Sequence, residues 1–254
     1  MIGRFVWEHF TEEHLEPARA AYDAIYSVTE AEQRRYAGWG LETPRVPWGI
    51  HPELLAVPIE RADDGLVRFV FPGGFIGHRK PLEPVVEAFA RTTNPDLRLL
   101  VKAQVERDRL SSVAATIEAD GRIELRLGDE PWGEHLRTIA ACDVCITPSR
   151  WEGLGLPLYE AIAFGQPVIT NDDPPMNEVI SDGLNGILVP SHPDGSARSG
   201  IPARRPDPAA LTAAIERLAE PDLRARLAAG ARERRDELDW GRTVSALGEL
   251  LNGR

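Results

Sequence analysis

The chain has 254 residues, enough to bury a sizeable core in one large or two small α/β domains. Its formal net charge of −11 argues against a general nucleic-acid or anionic-membrane surface, since both demand basic patches. No apolar run approaches the roughly 20 residues that span a bilayer, and the first residues lack the charged, apolar and small-residue zones of a signal peptide, so the chain reads as cytoplasmic with no transmembrane segment.

In chain order, Ile2–Trp7 is a short apolar run, and Thr11–Ala21 reads as a polar, helical connector. Asp23–Val28 is predicted as a strand, closed by Thr29 as cap to a helix through about Ala37. The Pro/Gly content of 43–58 and the charged run Glu60–Asp64 mark a linker, with a domain boundary near residue 63. From Leu66 apolar strands alternate with amphipathic helices: strands at 66–71, 97–103, 122–127, 143–147, 167–171 and 186–190, helices near 81–92, 105–117, 133–141, 157–164 and 175–181. This alternation predicts an α/β fold, a Rossmann-like parallel sheet with helices on both faces and right-handed crossovers. Residues 191–206, rich in Pro, Gly, Ser and Arg, read as a surface loop. Helices near 208–219, 221–235 and 239–251 finish the chain, the last with an apolar face of Trp240, Val244, Leu247, Leu250 and Leu251.

Two glycine-rich loops fall at the carboxyl ends of strands, where open α/β sheets bind ligands. The first, Phe71-Pro72-Gly73-Gly74-Phe75-Ile76-Gly77-His78-Arg79-Lys80-Pro81, lets backbone approach a ligand closely and offers two cations that can neutralise a diphosphate. The second passes Glu152-Gly153-Leu154-Gly155 and enters a short helix with Pro157 at its first position and Glu160 about one turn into it. Unpaired amides and the helix dipole favour an anion at that start. The flanking carboxylates Glu152 and Glu160 suit sugar hydroxyls better than phosphates, which they would repel. Cys142 and Cys145 form a Cys-x-x-Cys by count, but Cys145 lies inside an apolar strand and no second Cys pair or close His pair completes a zinc site. Both read as buried structural thiols. His51, His78 and His135 are scattered and read as structural, as do Trp132, Trp151 and Trp240.

The stretch Ser149-Arg-Trp-Glu-Gly-Leu-Gly-Leu-Pro-Leu-Tyr-Glu160, with the upstream glycine loop, resembles the donor site of retaining glycosyltransferases of the GT-B fold, family four. The resemblance covers roughly residues 20–252 and is strongest from 66 to 190. It implies two facing α/β domains, the second binding the nucleotide sugar. It divides this chain into a remnant of the acceptor-side domain and hinge (1–63), a donor-binding domain (64–236) and a C-terminal crossover helix (237–254). The implied activity is retaining, metal-independent hexosyl transfer from a nucleotide-diphospho-sugar to an unknown acceptor, with no cofactor. Lys80, Arg79 and Glu152 carry the catalytic roles in that reading. Donor contacts come from Gly73, Gly74, Arg79, Lys80, Glu130, Glu152, Gly153, Leu154, Gly155 and Glu160. Glu130 matches by position the segment lining the base, where a small or apolar residue is usual, and Gly74 stands where many members carry arginine. The missing two-thirds of an acceptor domain, with the apolar tail face and apolar start, predicts a homo-oligomer or a separate acceptor-domain subunit. The alternative is a catalytically inactive nucleotide-sugar-binding or structural remnant; an epimerase of similar architecture is a third reading.

Overall fold

The computed structural model describes residues 1–4 and 9–252, so residues 5–7 of the predicted apolar run Ile2–Trp7 lie outside the described residues. At the front, Ile2–Gly3 (β1) is followed by Leu15–Ala21 (α1) and by Ala24–Ile25 (β2), which pairs in parallel with β1. The strand expected over 23–28 is thus two residues long, paired over the two residues of β1, and Ser27 beyond it makes an isolated parallel bridge to Arg45. Glu30–Gly38 (α2) begins at Thr29 as predicted. The Thr29 hydroxyl accepts from Glu32 N at 3.1 Å, and the Glu32 carboxylate accepts from Val28 N at 2.7 Å, which satisfies two donors at the helix start. Pro52–Leu55 (α3) lies in the linker.

Alternation then builds the main unit: Val67–Gly74 (β3), Glu83–Ala90 (α4), Leu97–Ala103 (β4), Ala114–Ala119 (α5), Ile123–Leu127 (β5), Trp132–Ala140 (α6), Val144–Ile146 (β6), Leu156–Ala163 (α7), Val168–Asn171 (β7), Met176–Val179 (α8) and Gly186–Val189 (β8). The six strands are all parallel, in the order β5-β4-β3-β6-β7-β8. Central strands read as unbroken apolar runs because both faces are covered. Phe69 and Phe71 pack with Val85, Phe89, Leu211 and Ile215 on one face, while Val70 and Cys145 pack with Ile139, Leu158 and Ile162 on the other. Each such side chain, fully buried, contributes about 1.5–3 kcal/mol. The order reverses between β3 and β6, so the loops leaving these strands diverge and open a crevice.

Two further predicted elements differ. The helix expected over 105–117 is a 3-10 turn at Arg107–Leu110 followed by α5, broken at Ser111-Ser112, residues whose hydroxyls compete with helical hydrogen bonding. Ser112 Oγ donates instead to Glu83 Oε1 at 2.7 Å. The loop expected over 191–206 is an antiparallel hairpin of Ser191–Ser196 (β9) and Pro202–Pro206 (β10). Its prolines argued against strand, yet a two-stranded ribbon leaves each strand an open edge where a missing N–H goes unneeded. The hairpin tip buries Ala197 and Ile201 against Phe10, Leu15 and Tyr36 of the front segment. Arg35 also donates to the Ser199 carbonyl there.

Pro208–Ala219 (α9), Pro221–Glu237 (α10) and Trp240–Asn252 (α11) close the chain. Asp207 caps α9 by accepting from Ala210 N at 2.8 Å. Gly230 sits within α10 because a Cβ there would lie 2.0 Å from the Leu184 carbonyl oxygen. Buried Thr243 fastens α11 to the linker, donating to Pro47 O at 2.7 Å and accepting from Gly49 N at 2.9 Å. Trp240 packs edge-on against Trp48 and His51, while Val244 and Leu251 of the predicted apolar face are exposed.

Candidate functional site

The crevice is framed by the loops after β3 and β6. The second is held by its neighbours: Thr147 N donates to Ile169 O, Thr170 Oγ1 to Thr147 O and Asn171 Nδ2 to Ser149 O, each at 2.9 Å. Arg150 N donates to Arg79 O at 2.9 Å and ties the two loops together. Gly155 takes φ +81° at the start of α7, a left-handed conformation costing an L-residue roughly 1–2 kcal/mol. A Cβ there would also meet Leu158 Cδ1 at 2.9 Å. The helix starts one residue before the expected position, so Pro157 is its second residue, where its missing N–H still leaves no hydrogen bond unmade.

Glu152 is the centre of the charge arrangement. Its carboxylate accepts from Arg79 Nη1 at 2.5 Å and from Ser149 Oγ at 2.7 Å, and lies 3.6 Å from Lys80 Nζ. Lys80 is 5% exposed and Glu152 4%, so the two buried charges compensate each other, with Arg79 as a second partner of the carboxylate. Arg79 and Lys80 thus set two cations at the crevice beside the carboxylates Glu152 and Glu160. Glu160, half-buried on α7, has its carboxyl pushed above the ordinary value by burial, with the Lys80 charge opposing.

A cavity of about 430 Å³ brings together Gly74, Arg79, Lys80, Glu152, Gly153, Leu154, Gly155 and Glu160. Gly73 and Glu130, predicted alongside them, stand outside its lining. At Gly73 a Cβ would fall 2.8 Å from the Phe71 ring, so the glycine permits close packing of strand end on ring. Glu130 turns to Lys102 Nζ and His135 Nδ1, each 3.4 Å away. His135, read from sequence as structural, is the member of that group that reaches the cavity, and burial lowers its pKa against the opposing Glu130 charge. Arg4, Trp48 and Gln104 also line the cavity and were missed. Arg4 and Trp48 belong to the front segment and linker, and the guanidinium stands 6.0 Å from the indole centroid.

A larger cavity, about 620 Å³, is lined by Arg68, Arg98, Arg122 and Arg126 on and beside β3–β5, with Thr138, Ala141 and Cys142 opposite. Each of these arginines donates to a carboxylate or carbonyl of its own surroundings, and the cavity lies away from the strand ends where such sheets bind ligands. Among the described residues, no group of three or more His, Cys, Asp or Glu could hold a metal ion, and no helix is long and apolar enough to cross a membrane. Cys142 and Cys145 are buried free thiols, and desolvation pushes Cys142 up to about 12.

Glu160 supplies a test of this electrostatics. Its raised native pKa means the folded state keeps a proton that the unfolded chain has lost, so stability falls as pH rises from 4.5 towards the raised value and stays lower above it. Glu160→Gln is therefore expected to raise the Tm at about pH 7, with the gain gone by about pH 4 where the carboxyl is neutral in both states. Thermal melts at the two pH values check this, and equal Tm values at neutral pH would remove the buried charge.

The model of the family described as Glycosyl transferases group 1 matches residues 61–234. The D-inositol 3-phosphate glycosyltransferase of Acidothermus cellulolyticus is 28% identical over 259 residues, covering 90% of this chain and 52% of that protein. Among solved structures, Anabaena Alr3699/HepE in complex with UDP and glucose superposes with a TM-score of 0.75 at 16% identity, covering all of this chain and 71% of that one. The GtfA/B complex gives 0.70 at 19% identity, covering 95% and 47%. These superpositions show a common fold, the α/β arrangement of GT-B glycosyltransferases. The chain spans about half or less of the length of the curated relatives it matches. With most of its length matched by one family model, laid over a parallel sheet whose two glycine-rich loops meet at the switch point, the chain belongs to the glycosyl transferases group 1 family.

Proposed function

We propose that the chain binds a nucleotide-diphospho-sugar and is the donor side of a retaining, metal-independent glycosyltransferase. The observation that carries this reading is the convergence of Lys80, Arg79, Glu152, Glu160 and the Gly155 helix start on one cavity at the β3/β6 switch point. The solved complex of Alr3699/HepE with UDP and glucose supports it through a shared fold. Lys80, Arg79 and the amides around Gly155 take the diphosphate, Glu152 and the Gly153–Leu154 backbone the sugar, and Glu160 the ribose hydroxyls. In the transfer the sugar C1–O bond to the diphosphate breaks and the acceptor oxygen bonds to C1 on the same face. The acceptor's proton passes to the departing phosphate, so no enzyme nucleophile is required. Catalysis then rests on orientation and on stabilising the leaving charge.

In this reading residues 1–63 are an acceptor-side remnant, 64–236 the donor domain and 237–254 the crossover helix. Exposed Val244 and Leu251 support a second copy or a separate acceptor-domain subunit, and the GtfA/B complex is an assembly among the structural neighbours. The reading places the work in the cytoplasm, where nucleotide sugars are made. The alternative is a chain that holds the donor without transferring it.

Titrating the purified protein with UDP-, GDP- and ADP-sugars while following hydrolysis separates these readings. Binding of one nucleotide sugar with slow hydrolysis is expected, and Glu160→Ala should weaken that binding by about 1–3 kcal/mol. Binding with no turnover, alone or with an acceptor-side chain, selects the alternative, and no binding of any donor removes both.

A further inference from the structure

The hairpin β9–β10 helps build another cavity, about 600 Å³, that adjoins the donor crevice. Its lining comes from three places: His78 and Arg79 on the loop after β3, Arg150 and Trp151 on the loop after β6, and Arg198 with its neighbours at the hairpin tip. His9 of the front segment closes it. Arg79 lines both cavities, so the two adjoin across one side chain.

The charge of this cavity runs against that of the molecule. The chain carries 40 acidic and 29 basic residues, yet the described lining holds three arginines and two histidines and no carboxylate. Some of that charge is answered from behind. Arg79 pairs with Glu152, and Arg150 Nε lies 2.8 Å from Asp194 Oδ2, a carboxylate also 3.5 Å from Arg205. Arg150 donates further to the carbonyls of His78 and Asp194, and its guanidinium stands 5.4 Å from the Trp151 ring. These contacts fix a planar donor beside an aromatic face. Arg198 is exposed at the tip and has no ion-pair partner among the described residues, so its charge is left for a ligand. The hairpin itself is held from both sides, by Arg204 N donating to Arg150 O at 2.9 Å and by the Ala197–Ile201 core contact.

We infer that this cavity is the acceptor subsite, and that the acceptor is a sugar bearing an anionic group. The assignment rests on the donor reading above, because transfer needs the acceptor oxygen within about 3–3.5 Å of the reacting carbon and so needs a pocket touching the donor's. The guanidinium forks suit a phosphate or a carboxylate, and the Trp151 face suits a sugar ring. The hairpin, which presents Arg198, is then a specificity element rather than a connection.

The test keeps the donor site filled. Protein saturated with UDP is titrated by calorimetry with glucose 6-phosphate, glucuronate and glucose, and Arg198→Glu is titrated in parallel. The expected result is that at least one anionic sugar binds about tenfold or more tighter than glucose, that Arg198→Glu removes this advantage, and that its UDP affinity and Tm are unchanged. The tighter of the two anions identifies the group recognised. Equal binding of all three sugars, competition between glucose 6-phosphate and UDP, or an unaffected Arg198→Glu each overturns the subsite. Failure of the wild-type protein to bind any nucleotide or nucleotide sugar is a different outcome, which removes the donor reading and the acceptor role with it.

Discussion

Glu152→Ala is expected to destabilise the protein by about 3–5 kcal/mol at neutral pH, and UDP is expected to restore part of that loss. Lys80 is 5% exposed and its ammonium lies 3.6 Å from the Glu152 carboxylate, so removing the carboxylate strands a desolvated cation. Arg79 is more accessible and can turn to water, which places the cost chiefly on Lys80. A diphosphate bound beside these cations would take over the role of the lost carboxylate. Saturating UDP should therefore raise the midpoint of urea denaturation more for the variant than for the wild type. The discrimination between a UDP-sugar and UDP should shrink at the same time, because the group assigned to the sugar is gone. Equal UDP-induced shifts in the two proteins would separate Glu152 from the diphosphate and sink this assignment.

The parts of this arrangement that sequence made legible are those dictated by short-range physics. β3, β4 and β7 read as strands because burial on both faces forces continuous apolar runs. Gly155 and Pro157 announced a helix start because few other residues suit a left-handed turn followed by an N–H-free position. What sequence hid depends on long-range placement. Arg4 and Trp48 reach the cavity across the front segment and linker, and nothing in their own neighbourhoods signals that. Glu130 matched a position but not a direction. Its carboxylate is drawn to buried Lys102, and His135 on the next helix turns to the cavity in its stead. The hairpin was concealed by its prolines, which are incompatible with a central strand but not with an isolated ribbon.

Lys80→Ala is expected to lower donor turnover by about 10²–10³-fold and to weaken UDP binding by about 1.5–3 kcal/mol. The ammonium stands between two carboxylates: 3.6 Å from Glu152, and close enough to Glu160 that its charge opposes the burial-driven rise of the Glu160 pKa. Without it the crevice loses the cation placed to take charge on the departing phosphate, while both carboxylates remain to repel that phosphate. Arginine is a poor replacement, since a wider guanidinium must fit a site that is almost fully enclosed, so Lys80→Arg should restore binding more than turnover. A second readout follows from linkage. Lys80 holds the Glu160 pKa down, so its removal should move the loss of UDP affinity on acidification to higher pH, as Glu160 takes up its proton sooner. A purely structural lysine would change stability and leave that pH profile in place. Calorimetric UDP titrations of wild type, Lys80→Ala and Lys80→Ala/Glu160→Gln between about pH 5 and 8 distinguish the two, because the shift that Lys80→Ala produces in the pH profile should vanish when Glu160 is also replaced.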